Sequence, residues 1–135
     1  MDGFPFTCPI QVRYSDVDAM NHVNNATTVS YLEVARVALW REQLGFTGSA
    51  RDLPIILARV AVDFRSPIAL EDTVSVGVAV KHLGRKSFTF AYRVEASGRL
   101  AAEAETVQVS YDYAAGRPAP IPDDLRSRLT ALLRP

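Results

Sequence analysis

Between Tyr14 and Asn25 the chain reads YSDVDAMNHVNN, twelve positions holding two aspartates, three asparagines and one histidine. Directly after it, ATTVSYLEVARVALW carries only Glu33 and Arg36 as charges. Turn chemistry and helix capping explain part of so dense a polar cluster at the mouth of an apolar helix, and a catalytic site is the reading for the rest. A carbonyl placed against backbone N–H groups of the first helical turn is polarised by those donors and by the helix dipole. A carboxylate on the same loop can then attack the carbonyl carbon, or deprotonate a water that attacks it. Asp18 is the candidate for that carboxylate. Asn24 and Asn25 are expected to cap the helix, and their backbone N–H groups are the candidate oxyanion donors.

Other readings of the same residues compete. Asp before a helix is commonly a turn or capping residue, and Asp16 is assigned such a loop-bracing role. An Asp-x-Asp calcium loop would need an oxygen ligand, Gly and Glu at its fifth, sixth and twelfth positions. Met20, Asn21 and Thr27 stand there, so that reading fails. His22 is a general base or, on the stronger reading, an imidazole hydrogen-bonded to neighbouring backbone that sets the loop. With two histidines and no His-x-x-x-His or His-Cys pairing, a metal site is not expected. Glu33 lies about two helical turns past the cap. It reads as a carboxylate paired with Arg36, three residues on, or as a second carboxylate of the active site. Cys8 has no basic or histidine neighbours and is assigned no chemistry.

The elements that hold this cluster are legible as periodicities. PIQVRYS, residues 9–15, reads as a first strand. From about Asn25 to Leu44 the pattern is helical, with Val29, Leu32, Ala35 and Leu39 on one face. Tyr31, Val34, Ala38 and Trp40 widen that face, which predicts a helix buried nearly all round, stopped by Gly45. Period-two alternation follows. Ile56, Ala58, Val60, Val62 and Phe64 form one face of the first stretch, Val74 to Val80 of the next, and Phe88, Phe90, Tyr92 and Val94 of the third. The connections carry turn residues, so a meander of antiparallel strands is expected. In the last strand Leu100, Ala102 and Ala104 hold one phase, while Val107, Val109, Tyr111 and Tyr113 hold the other. A bulge near Glu105 or Thr106 would reconcile them. A Pro-rich linker then leads to a short helix opened by Pro122 and Asp123.

The order is α+β: a strand, a long buried helix, then about four antiparallel strands. The sheet's second face carries small residues (Ser75, Gly77, Ala79, Thr89, Ala91), which suggests close approach by a second copy. The length of 135 residues suits one domain, 1–135. Lys+Arg and Asp+Glu are both 15, so the formal charge is zero and nucleic acid is a poor partner. The N-terminus MDGFPFTCPI lacks a basic region and a sustained apolar run, and no segment approaches membrane-spanning length. A cytoplasmic protein with no membrane span is expected.

The Asp16-x-Asp18 pair, His22-Val23-Asn24-Asn25, Glu33 and Arg36, and the later HLGRKSF together resemble the hotdog-fold thioesterases of the 4-hydroxybenzoyl-CoA thioesterase type, over residues 9 to 113. The resemblance implies a hotdog fold, a long helix wrapped by a curved antiparallel sheet of about five strands. It implies hydrolysis of an acyl-CoA thioester, with Asp18 catalytic and no cofactor, since CoA belongs to the substrate. It implies that Arg85, Lys86 and Ser87 lie near the nucleotide end of CoA, with Arg59 and Arg65 as further contributors. It also implies a homodimer joined edge to edge with active sites at its interface, and a tetramer of two dimers as the larger alternative. Relatives often have Gly where Asn21 stands, and an aromatic residue where Thr27 and Thr28 stand. Two other functions remain open: a hotdog hydratase or dehydratase, and a non-catalytic module binding acyl-CoA or acyl-carrier-protein thioesters.

Overall fold

A computed structural model describes residues 1–134. Six strands and two helices are present: β1 (Phe6–Ile10), α1 (Asn25–Glu42), β2 (Ile55–Phe64), β3 (Val74–Leu83), β4 (Ser87–Ala96), β5 (Arg99–Asp112), β6 (Arg117–Pro118) and α2 (Asp123–Thr130). They build one curved, open antiparallel sheet in the order β1-β3-β4-β5-β2, with β6 paired to the end of β5. Two expectations about the strands shift. The first strand starts earlier than residue 9, because Phe6 and Cys8 are the buried positions, while the predicted Tyr14 is 85% exposed in a 3-10 turn. The meander is confined to β3-β4-β5. The connection at residues 65–73 is too long for a hairpin, and it delivers β2 to the far side of β5.

The helix runs as its periodicity predicts and ends where Gly45 adopts φ +72°. Tyr31, Leu32, Ala35, Leu39 and Trp40 bury against the aromatic row of β4, where Trp40, Phe88, Phe90 and Tyr92 follow one another at 5.3–6.3 Å between centroids. Val29 and Val34 are exposed, so the helix is buried on one side rather than all round.

The phase change in β5 has a different origin from the expected bulge. Ala102, Ala104, Thr106, Gln108 and Ser110 stay in phase on the buried face, and the register runs unbroken through Glu105 and Thr106. The bulges lie elsewhere. Ala101 is the extra residue of β5 opposite β4, and Ala58 the extra residue of β2 opposite β5. Polar side chains occupy the core because they satisfy one another. The Arg36 guanidinium donates to the Tyr92 hydroxyl, Tyr92 is bonded to Thr106, Thr106 to the Gln108 carbonyl, and the Gln108 amide donates to the Phe88 carbonyl.

Of the small outer-face residues that predicted close approach by a second copy, Gly77 is covered by the chain itself. A Cβ on Gly77 would stand 2.5 Å from Met1 Sδ and 2.9 Å from Phe4 Cβ, so the chain's own N-terminus covers it. Arg134, hydrogen-bonded to the Val80 carbonyl, lays its guanidinium 4.7 Å from the Phe4 ring centroid. A run of exposed apolar side chains lies on β2. Leu57, Val60 and Phe64 lie opposite the buried Gln108, Thr106 and Ala102, hence on the inner face, and are 39–44% exposed.

One buried carboxylate ties the polar loop to the helix. Asp16 is 4% exposed and accepts from the Arg13 backbone (2.9 Å), the Tyr31 hydroxyl (2.7 Å) and the Arg13 guanidinium (3.3 Å). Burial alone would raise its pKa. The three donors together outweigh burial and hold it below the ordinary carboxylate value. Its stabilising contribution is therefore present above the unfolded carboxylate's pKa and is lost as pH falls through the depressed folded value. Tyr31→Phe should cost about 1–2 kcal/mol at neutral pH. Urea titrations at pH 7 and pH 3 should show the gap between variant and wild type narrowing in acid. An equal gap at both would mean that the ionised carboxylate is not what Tyr31 holds.

Candidate active site

The polar loop is a closed miniature hairpin. Val17 and Val23 form an isolated antiparallel bridge, the Asp18 N–H donates to the His22 carbonyl (2.9 Å) and the Asn21 N–H to the Asp18 carbonyl (3.0 Å). Asn21 sits at φ +60°, a conformation that Asn tolerates and β-branched residues do not. Asp18 is exposed. Its Oδ1 accepts from the Met20 N–H (2.9 Å), and it opens on a cavity of about 440 Å³ with Tyr14, Ala19 and Leu70.

The helix start separates the two asparagines that the sequence treated alike. Asn24 is the N-cap, its Oδ1 accepting from the Ala26 N–H at 2.9 Å. Its own N–H is already donated to the Asp16 carbonyl at 3.0 Å, so the Asn24 amide is not a free oxyanion donor. Among the described residues the Asn25 N–H meets no acceptor, which makes it the open donor at the positive end of an 18-residue helix. Asn25 and His22 share a cavity of about 290 Å³ whose opposite wall is Phe64, Ser66, Pro67 and Ile68. The His22 ring has no hydrogen bond among the described residues. It is the His22 backbone carbonyl, not the imidazole, that sets the loop.

Asp18, His22 and Asn25 lie on one loop and helix start, with Asp18 lining one cavity and His22 and Asn25 another. Glu33 is not among them. It is exposed on the helix, and Arg36 turns inward to Tyr92 rather than pairing with it. Arg85 and Lys86 are exposed at the β3–β4 hairpin tip, with Ser87 closing the turn through its carbonyl to the Gly84 N–H (2.8 Å). That tip lies at the Trp40 end of the helix, beside Phe88, while Asn25 marks the other end. Eighteen residues of helix span about 27 Å. Within one chain the basic tip and the loop carboxylate are therefore far apart. Arg59 and Arg65 are paired with Glu105 and Glu103. Burial, then the nearby Glu42 charge, pushes the Cys8 thiol pKa up, the wrong direction for a nucleophile.

Ser66, Pro67 and Ile68 of this wall were missed by sequence reasoning, which read the connection after Arg65 only as a turn. The available signal was length. A hairpin needs two to five residues, and a longer segment carrying a proline has to travel.

Residues 12–129 match the family model described as the thioesterase-like superfamily. The long-chain acyl-CoA thioesterase FadM of Escherichia coli is 24% identical over 128 residues, covering 93% of this chain and 97% of that protein. The crystal structure of a thioesterase from Thermus thermophilus complexed with coenzyme A and Zn superposes with a TM-score of 0.90 at 39% identity, covering 100% of this chain and 99% of that one. A 1,4-dihydroxy-2-naphthoyl-CoA thioesterase from Synechocystis shares the fold at TM-score 0.83 and 20% identity, over 96% and 98% of the two chains. Among the described residues no helix is long and apolar enough to cross a membrane. On the strength of its loop, its helix-on-sheet architecture and these matches, the chain belongs to the thioesterase-like superfamily and is a thioester hydrolase of the hotdog fold.

Proposed function

We propose that the protein is a cytoplasmic acyl-CoA thioesterase in which Asp18 activates the attack and the Asn25 N–H receives the oxyanion. The observation that carries the reading is the division of labour at the helix start. Among the described residues every donor of the first turn near the loop is consumed internally except the Asn25 amide, and Asp18, on the loop that leads into that turn, keeps Oδ2 unpaired. A thioester carbonyl bound at Asn25 would be polarised by that N–H and by the helix dipole. Asp18 then removes a proton from water as the oxygen attacks, or attacks the carbonyl carbon itself to give an anhydride that water cleaves. In either case the C–S bond breaks with its electron pair leaving as CoA thiolate, and the acyl group departs as the free acid. Thiolate is a good leaving group, so the step needs no metal. Asp18→Asn retains the turn and much of its hydrogen bonding, and should lower kcat by at least about 10²–10⁴-fold. Glu33→Gln and Asp16→Asn should lose less. An active Asp18→Asn beside a dead Glu33→Gln would reassign the catalyst.

The separation of Arg85 and Lys86 from Asn25 is resolved by a second copy. Inner-face residues of β2 are exposed, and an antiparallel pairing of two β2 edges would set one chain's Phe64 end beside the other's Ile55 end. Ile56 and Ser87 both stand opposite Val109, so the Ile55 end is level with the hairpin tip. The tip of one copy would thus approach the Asn25 cavity of the other, where Arg and Lys can meet CoA phosphates. Sedimentation at micromolar concentration should show at least a dimer, and a stable, active monomer would sink this arrangement. Replacing Arg85 and Lys86 by Ala should raise KM for an acyl-CoA far more than for a truncated thioester lacking the nucleotide, with kcat little changed. Equal effects on both substrates would place the CoA phosphates elsewhere.

A further inference from the structure

The wall facing Asn25 is not a passive turn. Its residues are held by a set of polar contacts to the β4–β5 hairpin. The Ala101 bulge leaves a carbonyl unclaimed by β4, and that carbonyl accepts from both the Arg65 N–H (2.8 Å) and the Ser66 N–H (3.2 Å). The Ser66 hydroxyl donates to the Leu100 carbonyl (2.8 Å). Further along, Asp72 accepts from the Ala69 N–H (2.8 Å), the Ser97 hydroxyl (2.9 Å) and both terminal nitrogens of Arg99 (2.8 and 3.2 Å). One of those nitrogens also donates to the Pro67 carbonyl at 3.0 Å. Arg99 thus clamps both ends of the segment between Pro67 and Asp72. Inside that segment the Ile68 carbonyl accepts from the Val23 N–H at 2.7 Å, a single strong link to the residue between His22 and the helix cap.

We propose that the Asp72–Arg99 pair is a positioning device for the active site, fixing the spacing between the Asn25 donor and its facing wall by locking the segment whose Ile68 carbonyl holds Val23. The Asp72 carboxylate is 11% exposed and Arg99 46%. An exposed guanidinium contributes little to global stability, yet Arg can bridge a carboxylate and a carbonyl at once because its donors are fixed in a plane. Lys cannot hold both Asp72 oxygens and the Pro67 carbonyl together. The Arg99 guanidinium, the Ala69 amide and the Ser97 hydroxyl keep the Asp72 carboxyl well below the usual carboxylate range, against the opposing pull of burial, so the pair stays ionised at any pH where the enzyme works. The pair touches no substrate. It acts through Ile68 and Val23.

This inference rests on the thioesterase reading for its kinetic arm and is independent of it in its exchange arm. Arg99→Gln, Arg99→Lys and Asp72→Asn are assayed by chromogenic thiol release on the acyl-CoA that the wild type turns over fastest, and amide hydrogen exchange of Val23 is measured on the same proteins. Val76→Ala, a core truncation away from the site, serves as a destabilised control. Misplacement of a site by about an ångström costs up to about 10²-fold. Arg99→Gln should therefore lower kcat by about 10- to 100-fold with KM within about twofold, while Val23 exchanges faster. Arg99→Lys should recover part of both, and Val76→Ala should lower the melting temperature without either change. A folded Arg99→Gln with wild-type kcat and wild-type Val23 exchange would overturn the proposal. So would Val76→Ala reproducing the same kcat loss, since general destabilisation would then be the cause. A wild type inert on every acyl-CoA would instead fell the thioesterase reading, and Val23 exchange alone would decide whether the clamp sets the loop.

Discussion

Everything at the site hangs from Asp16. A carboxylate that is 4% exposed is costly unless it is surrounded by donors, and here the donors are what shape the loop. The Arg13 backbone and guanidinium close the turn before it, and the Tyr31 hydroxyl reaches it from two turns into the helix. Its own carbonyl takes the Asn24 N–H. The carboxylate thereby fixes the loop's entry, the helix's starting residue and the helix's angle against the loop. Once Asn24 is committed to Asp16 and Ala26 to Asn24, one amide remains unclaimed, and it belongs to Asn25. A structural anchor and an open donor are two consequences of one set of hydrogen bonds.

The helix and the strand-forming stretches were legible because apolar periodicity reports burial: β3 and β4 bury the faces that their patterns announce, and α1 buries a narrower face than its pattern announces, leaving Val29 and Val34 exposed. The pattern failed where burial and polarity part company. In β5 the core face carries Thr106 and Gln108, each satisfied by a neighbour, while Val107 and Val109 look outward. Read as hydrophobicity, that strand changes phase. Read as hydrogen bonding, it does not. The displaced bulges at Ala58 and Ala101 have the same cause, since a bulge is a backbone event that alanine does not advertise.

The polar loop was legible as a cluster but not as a circuit. Residue types pointed to a carboxylate and helix-start amides together, and that much is visible in YSDVDAMNHVNN. Which amide is free depends on which carbonyl finds which N–H, and Asp16 meeting Asn24 eight residues on is a fact of folding rather than of composition. The pairing of Glu33 with Arg36 failed for a related reason. Helical spacing permits the contact, but the inward chain of hydroxyls and amide through Tyr92, Thr106 and Gln108 offers Arg36 a less solvated partner.

The two edges of the sheet differ in how they are covered. At one edge β1 covers β3, and the C-terminal residues extend that cover as Leu133 bridges Val80. Pro9 sits in that edge strand, where a missing N–H costs no ladder bond if it points outward. The other edge has no such protection. β2 presents ten residues with unpaired backbone on one side and apolar inner-face side chains that the helix does not reach. A long apolar edge of that kind is a liability in a monomer. The same edge lies next to the cavity that holds Asn25, through Phe64, and at its opposite end is level with the basic hairpin tip. The twofold pairing proposed above would therefore meet two separate needs, covering the exposed edge and bringing cationic side chains to the end of the chain that carries the carboxylate and the open amide.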